Sequence, residues 1–418
     1  MASFCCFSLI QFLVLDFCFL LSISNSQASS SSARPWSLVF PVQRDPSTLQ
    51  HIIQLSQGTP SVTKNLVLAL GGELPYVRCD QRQTSSTFRS VDCKSPQCSL
   101  ATKYVGPAMC NKNKCSIQTS NPITHSPNEI DLFSDVVTAR SRYSQDPKSQ
   151  EWIPGPNVTA PAISFGCGTT ASDAFNGLAK GADGMAGLGR SQFSLVAQLA
   201  ASFHFPSKFA LYLSQQAGFM FFGNRPYTAF REGDLAKGIS YTPFLINPKH
   251  TDEYFIDVKS ISIDGEIIPI NKTLLSINKN NGVGGTRVST IVASTTMETS
   301  IYKAFVSAYV KKAEAMNISR VASVAPYDAC FNASTFVVMR GGLLLPTVSL
   351  GLPDNVEWRI LDQRNIVRNV DPNMLCLDFM DGGLNPRTSI VIGQGTFLLT
   401  LLEFDMKKSR LGFRPYDI

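Results

Sequence analysis

One order of parts occurs twice in this chain, and it constrains the fold more than any other feature of the sequence. Leu66-Val67-Leu68-Ala69-Leu70-Gly71-Gly72 reads as a buried strand running into a tight glycine turn, and Ala186-Gly187-Leu188-Gly189 follows much later. The second half has its own strand and turn in Gly285-Thr286-Arg287-Val288-Ser289-Thr290, followed by Val391-Ile392-Gly393. A chain of 418 residues is too long for one ordinary core. The repeat therefore predicts two topologically similar lobes, over 35–230 and 245–418, joined around Pro226 to Asn247.

Between these parts the sequence runs in short strands separated by turns. The stretch from Glu253 to Ile263 has the β-branched and aromatic content of a strand, and Asp264-Gly265 then signals a type I′ hairpin into Glu266-Ile267-Ile268. Leu401–Asp405 and Arg410–Phe413 read as another hairpin. Helical spacing of apolar residues occurs at Ser191–Phe203 and at Ser300–Met316, the second with Ser300 as its expected cap. The period alone gives an all-β chain of two halves with few helices.

The first 28 residues are expected to be a secretory signal, because the apolar run Phe4–Ile23 is followed by the small, polar Ser24–Ala28. A membrane anchor is the rival reading, and Asp16 inside the run counts against it. Eight of the eleven cysteines lie beyond that segment, an even number that suggests four disulfides in a secreted chain. Two pairs share one spacing, Cys93/Cys98 and Cys110/Cys115, in a polar stretch poor in helix signals. That spacing does not suit zinc, and no His lies nearby. Glycosylation sequons begin at Asn157, Asn271, Asn317 and Asn332. The net charge is +6, and loss of the signal removes Asp16 alone, which leaves +7. Basic residues are spread rather than clustered, which argues against nucleic acid as a partner and is compatible with acidic partners.

Gly181–Arg190, Val391-Ile392-Gly393 and Glu403–Phe413 resemble a plant pepsin-type aspartic protease over nearly the whole mature chain. Lys64–Leu68, Ser300–Ala304 and Asn317–Pro326 are similar to a narrower group. That group contains basic 7S globulin, the extracellular dermal glycoprotein, and the xylanase and xyloglucan-endoglucanase inhibitor proteins. The resemblance implies a bilobal, all-β pepsin-like fold with a few short helices, extracellular location, and proteins mostly inert as proteases. It would pair Cys330 with Cys376 and Cys79 with Cys167; Cys93, Cys98, Cys110 and Cys115 complete the set, and eight cysteines allow 105 connectivities.

Within that resemblance Ala69 stands where the first catalytic Asp is expected, and Ser289 occupies the second slot. Acid-protease chemistry needs two carboxylates that share one proton, one acting as base on a water and the other as donor. Ala69 has no such group, and Ser289 needs an adjacent base to become a nucleophile. Glu73, Asp80 and Glu298 lie near the slots in sequence but outside the turns, and His51, His125, His204 and His250 fall in no nucleophile motif. The glycines at 181, 184, 187 and 189 are not followed by a phosphate-binding Lys, and no cofactor or metal is expected. The resemblance implies inhibition of a microbial or endogenous cell-wall glycoside hydrolase, with Arg320 and Arg387 as inhibitory contacts. The chain ends at Ile418, before a tail that xylanase inhibitors use, so endoglucanase inhibitors are the better guide. An active aspartic endopeptidase and a seed storage or peptide-binding globulin are the alternatives.

Overall fold

Six antiparallel strands, three from each half of the chain, form the layer on which the molecule is built. Their order is Ser37–Arg44, Ala217–Gly223, Lys208–Leu213, Thr400–Asp405, Arg410–Pro415 and Ser240–Leu245. The halves join where Lys208 pairs with Asp405 and Tyr212 with Leu401. Among the described residues this layer belongs to a 20-stranded hydrogen-bonded network that runs through both lobes, accompanied by three small sheets. The computed structural model describes residues 35–79, 85–143, 153–169, 172–228, 233–339, 342–361 and 365–416. The expected signal segment and Asp80 lie outside the described residues.

The strand Val62–Ala69 explains its own uninterrupted apolar run. Successive side chains of a strand point to opposite faces. Leu66, Leu68 and Leu70 enter the large core shared by the two lobes, while Val67 and Ala69 enter a second core with Leu74, Tyr76 and Met185. A strand packed on both faces needs apolar residues at every position rather than at alternate ones. In the shared core Phe209 stacks on Phe404 with ring centroids 4.6 Å apart, and Tyr254 meets Phe404 edge-on at 4.7 Å.

Among the described residues three α-helices decorate the sheets: α1 (Pro96–Tyr104), α2 (Leu195–Phe203) and α3 (Thr299–Ala315). Helix α1 lies in the stretch read as poor in helix signals. Its signals are local, for Ser95 accepts a hydrogen bond from the Cys98 amide and Pro96 occupies the first turn, where no donor is needed. Helix α3 starts one residue before the expected Ser300, and its cap is Glu298, whose carboxylate accepts from the amides of Ser300 and Ile301. Glu298 is thereby committed to the helix. The stretch after Glu253 forms two strands, Tyr254–Ile256 and Ser260–Ile263, rather than one. The hairpin at Asp264-Gly265 has both residues at positive φ, as a type I′ turn requires.

Four disulfides join Cys79 to Cys167, Cys93 to Cys110, Cys98 to Cys115 and Cys330 to Cys376. The Cys98–Cys115 bond ties α1 to the strand Lys114–Ser120. Replacing Phe404 with Ala removes the ring shared by both halves and is expected to cost about 3–5 kcal/mol of unfolding free energy in urea titrations.

Candidate functional site: the cleft between the lobes and the Arg320 face

At the centre of the molecule two turns face each other, each at the end of a strand. In the first half Val62–Ala69 runs parallel to Gly184–Gly187, with Ala69 beside Gly187. In the second, Thr286–Val288 runs parallel to Ile390–Ile392, and the Ser289 amide donates to the Ile392 carbonyl at 2.9 Å. Ala69 and Ser289 are each 1% exposed. Gly71 must be glycine: its φ is +83°, and a Cβ there would sit 3.1 Å from Glu253 Cγ.

Thr290 ties the turns together. Its hydroxyl donates to the Leu68 carbonyl at 2.7 Å and accepts from the Leu70 amide at 3.1 Å. The matching position of the first turn is Leu70, which has no hydroxyl, so the link is made from one side only. The Ser289 hydroxyl oxygen accepts from the amides of Ile291 and Val292, at 3.2 and 3.4 Å. Among the described residues no side-chain base hydrogen-bonds to it.

The turns open into a cleft of about 700 Å³ lined by charged groups from both halves. Glu253 carries two arginines: Arg287 Nη1 reaches Oε1 at 2.8 Å, and Arg387 donates to Oε1 at 2.8 Å and to Oε2 at 3.0 Å. Burial works to raise the Glu253 carboxyl, but the Arg387 hydrogen bond and the two guanidinium charges outweigh it and hold the group below its ordinary range. Glu73 faces the same cleft without such a partner. Burial, reinforced by the charges of Asp252 and Glu253, pushes it up to about 8. Burial also raises Asp252 and lowers His250. His125 and His250 line the cleft, His204 closes α2 as its C-cap, and His51 is buried between Gln394 and the Ser214 carbonyl.

The sequence-predicted contact residues occupy different places. Arg387 lies in the cleft on Glu253. Arg320 is exposed on the strand Arg320–Val321, and its Nη2 donates to the Asp328 carbonyl at 2.9 Å. Of the sequon asparagines, Asn157, Asn271 and Asn317 are exposed and Asn332 is half-buried. Asn271 and Asn332 each accept from the hydroxyl two residues on, Thr273 at 2.8 Å and Ser334 at 2.9 Å. Glu253 and Arg287 were not singled out from sequence. The available signal was a charge within a strand whose flanking residues, Thr286 and Val288, are apolar-facing and buried. Among the described residues no group of three or more His, Cys, Asp or Glu is placed to hold a metal ion, and no helix is long and apolar enough to cross a membrane.

Comparison with known proteins places both halves in one family. A xylanase inhibitor N-terminal family model matches residues 51–224, and a xylanase inhibitor C-terminal model matches 253–415. A probable aspartic proteinase GIP2 of Nicotiana benthamiana is 43% identical over 99% of this chain and 95% of its own. The crystal structure of edgp superposes with a TM-score of 0.83 at 40% identity, covering 91% of this chain and 95% of that one. Basic 7S globulin from soybean gives 0.75 at 28% identity, covering 92% and 98%.

Glu73 provides a pH test. Its folded form holds a proton between the ordinary value of 4.5 and about 8, a window in which the unfolded chain has released it. Its contribution therefore falls as pH rises through that window. The Glu73→Gln variant is expected to match the parent near pH 4 and to exceed it at pH 8 by about 1–3 kcal/mol, discounted for solvent screening, in denaturant titrations at each pH. Parallel pH profiles would show that the carboxyl is not held neutral.

Proposed function

The chain belongs to the xylanase inhibitor family of aspartic-protease-like proteins, and from that premise we propose that it is a secreted, catalytically inactive glycoprotein that binds and inhibits a cell-wall glycoside hydrolase. Xyloglucan endoglucanases and xylanases are the classes of target enzyme. The observation that carries the reading is the pair of turns at the cleft centre, where Ala69 and Ser289 supply no carboxylate. A water between them has neither a base nor an acid to share a proton with it. Glu73 is a single carboxyl held neutral over most of the acidic range, so it does not restore a dyad.

Retaining glycosidases place two carboxylates about 5–5.5 Å apart, and a guanidinium matches a carboxylate with two parallel hydrogen bonds. Arg320 is the first choice for that contact, because it is exposed and makes only a backbone hydrogen bond. Arg387 is the second, since it would have to leave Glu253. The four disulfides, the four sequons and the apolar leader support secretion. Likeness to basic 7S globulin favours a second reading, a seed storage protein, which would leave every glycosidase unaffected.

Titration of the purified protein against a panel of xylanases and xyloglucan endoglucanases decides between them. At least one enzyme should lose activity stoichiometrically. The Arg320→Ala variant should bind that enzyme about 2–5 kcal/mol more weakly, roughly thirtyfold or more. A panel left wholly active sinks the inhibitor reading.

A further inference from the structure

The chain that follows the Asn332 sequon is apolar without alternation. Phe336-Val337-Val338-Met339 and Leu343-Leu344-Leu345 run into the two strands of a small antiparallel sheet. Val338 pairs with Leu343 and Met339 with Gly342, and the Leu344 amide donates to the Val337 carbonyl at 2.8 Å. Residues two apart along a strand share a face, as do residues directly paired. One face carries Phe336, Leu343 and Leu345, which pack on the shared core. The other carries Val337, Met339 and Leu344, which are 51%, 57% and 44% exposed, and Val338 is 75% exposed as well.

A sheet with one wet face alternates apolar and polar residues, whereas an unbroken apolar run suits a strand covered on both sides, as at Leu66–Ala69. The outer face of this small sheet has the composition of a covered face. Four side chains are too few for a stable interface with a second protein, which buries about 1,200 Å² or more. A covering group tethered beside the face needs no such area, because the tether itself supplies a high effective concentration.

Asn332 is such a tether. The turn Ala333–Thr335 ends with the Phe336 amide donating to the Ala333 carbonyl at 3.4 Å. Such a turn holds its ends within about 7 Å, so Asn332 and Val337 lie within about 15 Å of each other. Asn332 Oδ1 accepts from the Ser334 amide at 3.0 Å and from its hydroxyl at 2.9 Å. Nδ2, the atom that bears an N-linked sugar, donates to nothing among the described residues. N-acetylglucosamine offers C–H groups and an acetyl methyl to an apolar surface and keeps its hydroxyls for water.

We propose that the N-linked glycan of Asn332 folds over the outer face of this sheet, its first sugars packing on Val337, Met339 and Leu344. The inference rests on the reading of the chain as a secreted glycoprotein and is independent of any enzyme partner.

The full chain, secreted from plant cells, is compared with two variants. Ser334→Ala deletes the sequon and keeps Asn332 with its bond from the Ser334 amide, whereas Ser334→Thr keeps the sequon. Mass spectrometry should find Asn332 glycosylated in the parent and in Ser334→Thr, and bare in Ser334→Ala. Fluorescence of the apolar-surface dye ANS should rise severalfold in Ser334→Ala and stay at the parental level in Ser334→Thr. Adding Val337→Ser and Met339→Ser to Ser334→Ala should return it to the parental level. Equal dye fluorescence with and without the glycan overturns the proposal, and so does a rise that the two serines do not reverse. A glycosylated parent that is a dimer, dissociated by the two serines, overturns it by giving the face to a second copy. Asn332 bare in the parent also overturns it: if the other sequons carry glycans the secreted-glycoprotein reading stands, and if all four are bare that reading falls too.

Discussion

The Thr290 hydroxyl is the contact on which the centre of this molecule depends. It bridges two turns from opposite halves of the chain, and it is buried, so both of its hydrogen bonds replace water that cannot reach them. Tyr254 supports the same junction, its hydroxyl donating to the Leu188 carbonyl at 2.6 Å. His51 and Gln394 join the halves again, and the Gln394 amide donates to the Leu49 carbonyl at 2.8 Å. These links hold the two turns together around a junction where Ala69 and Ser289 carry no carboxylate. A pair of close carboxylates would repel and would each require desolvation, and Ala69 and Ser289 impose neither cost.

Charge is instead concentrated one step away, on Glu253. Its backbone packs against Gly71, and its carboxylate joins two guanidiniums from strands and loops of the second half. A carboxylate engaged in this way is an anchor rather than a proton carrier, because its pKa is held low by its partners. Glu73, a few ångströms of chain beyond the first turn, has the opposite environment and holds its proton far above the usual range. The cleft thus contains acids of two kinds, Glu253 held ionised by its guanidiniums and Glu73 pushed up by burial. The exposed Arg320 contrasts with this interior: its guanidinium donates to the Asp328 carbonyl and makes no ion pair among the described residues.

The sequence made the framework legible where local chemistry was decisive. The unbroken apolar run Leu66–Leu70 read as a buried strand and Asp264-Gly265 as a hairpin turn, and the structure has both. The turns at Ala69 and Ser289 were visible because each has a recognisable sequence. What could not be read was pairing over distance. Arg287 is 34 residues from Glu253 and Arg387 is 134, and nothing local marks the three as one cluster. Helix α1 was overlooked for a different reason, since its Ser95 cap and Pro96 were outweighed by the polar, cysteine-rich composition around them.

The most direct test of the central claim is an assay of the purified protein for peptide hydrolysis between pH 3 and pH 6, with and without a statine-type inhibitor of acid proteases. With no carboxylate at position 69 or 289, the account predicts no inhibitor-sensitive cleavage at any pH in that range. Robust cleavage abolished by the inhibitor would contradict it.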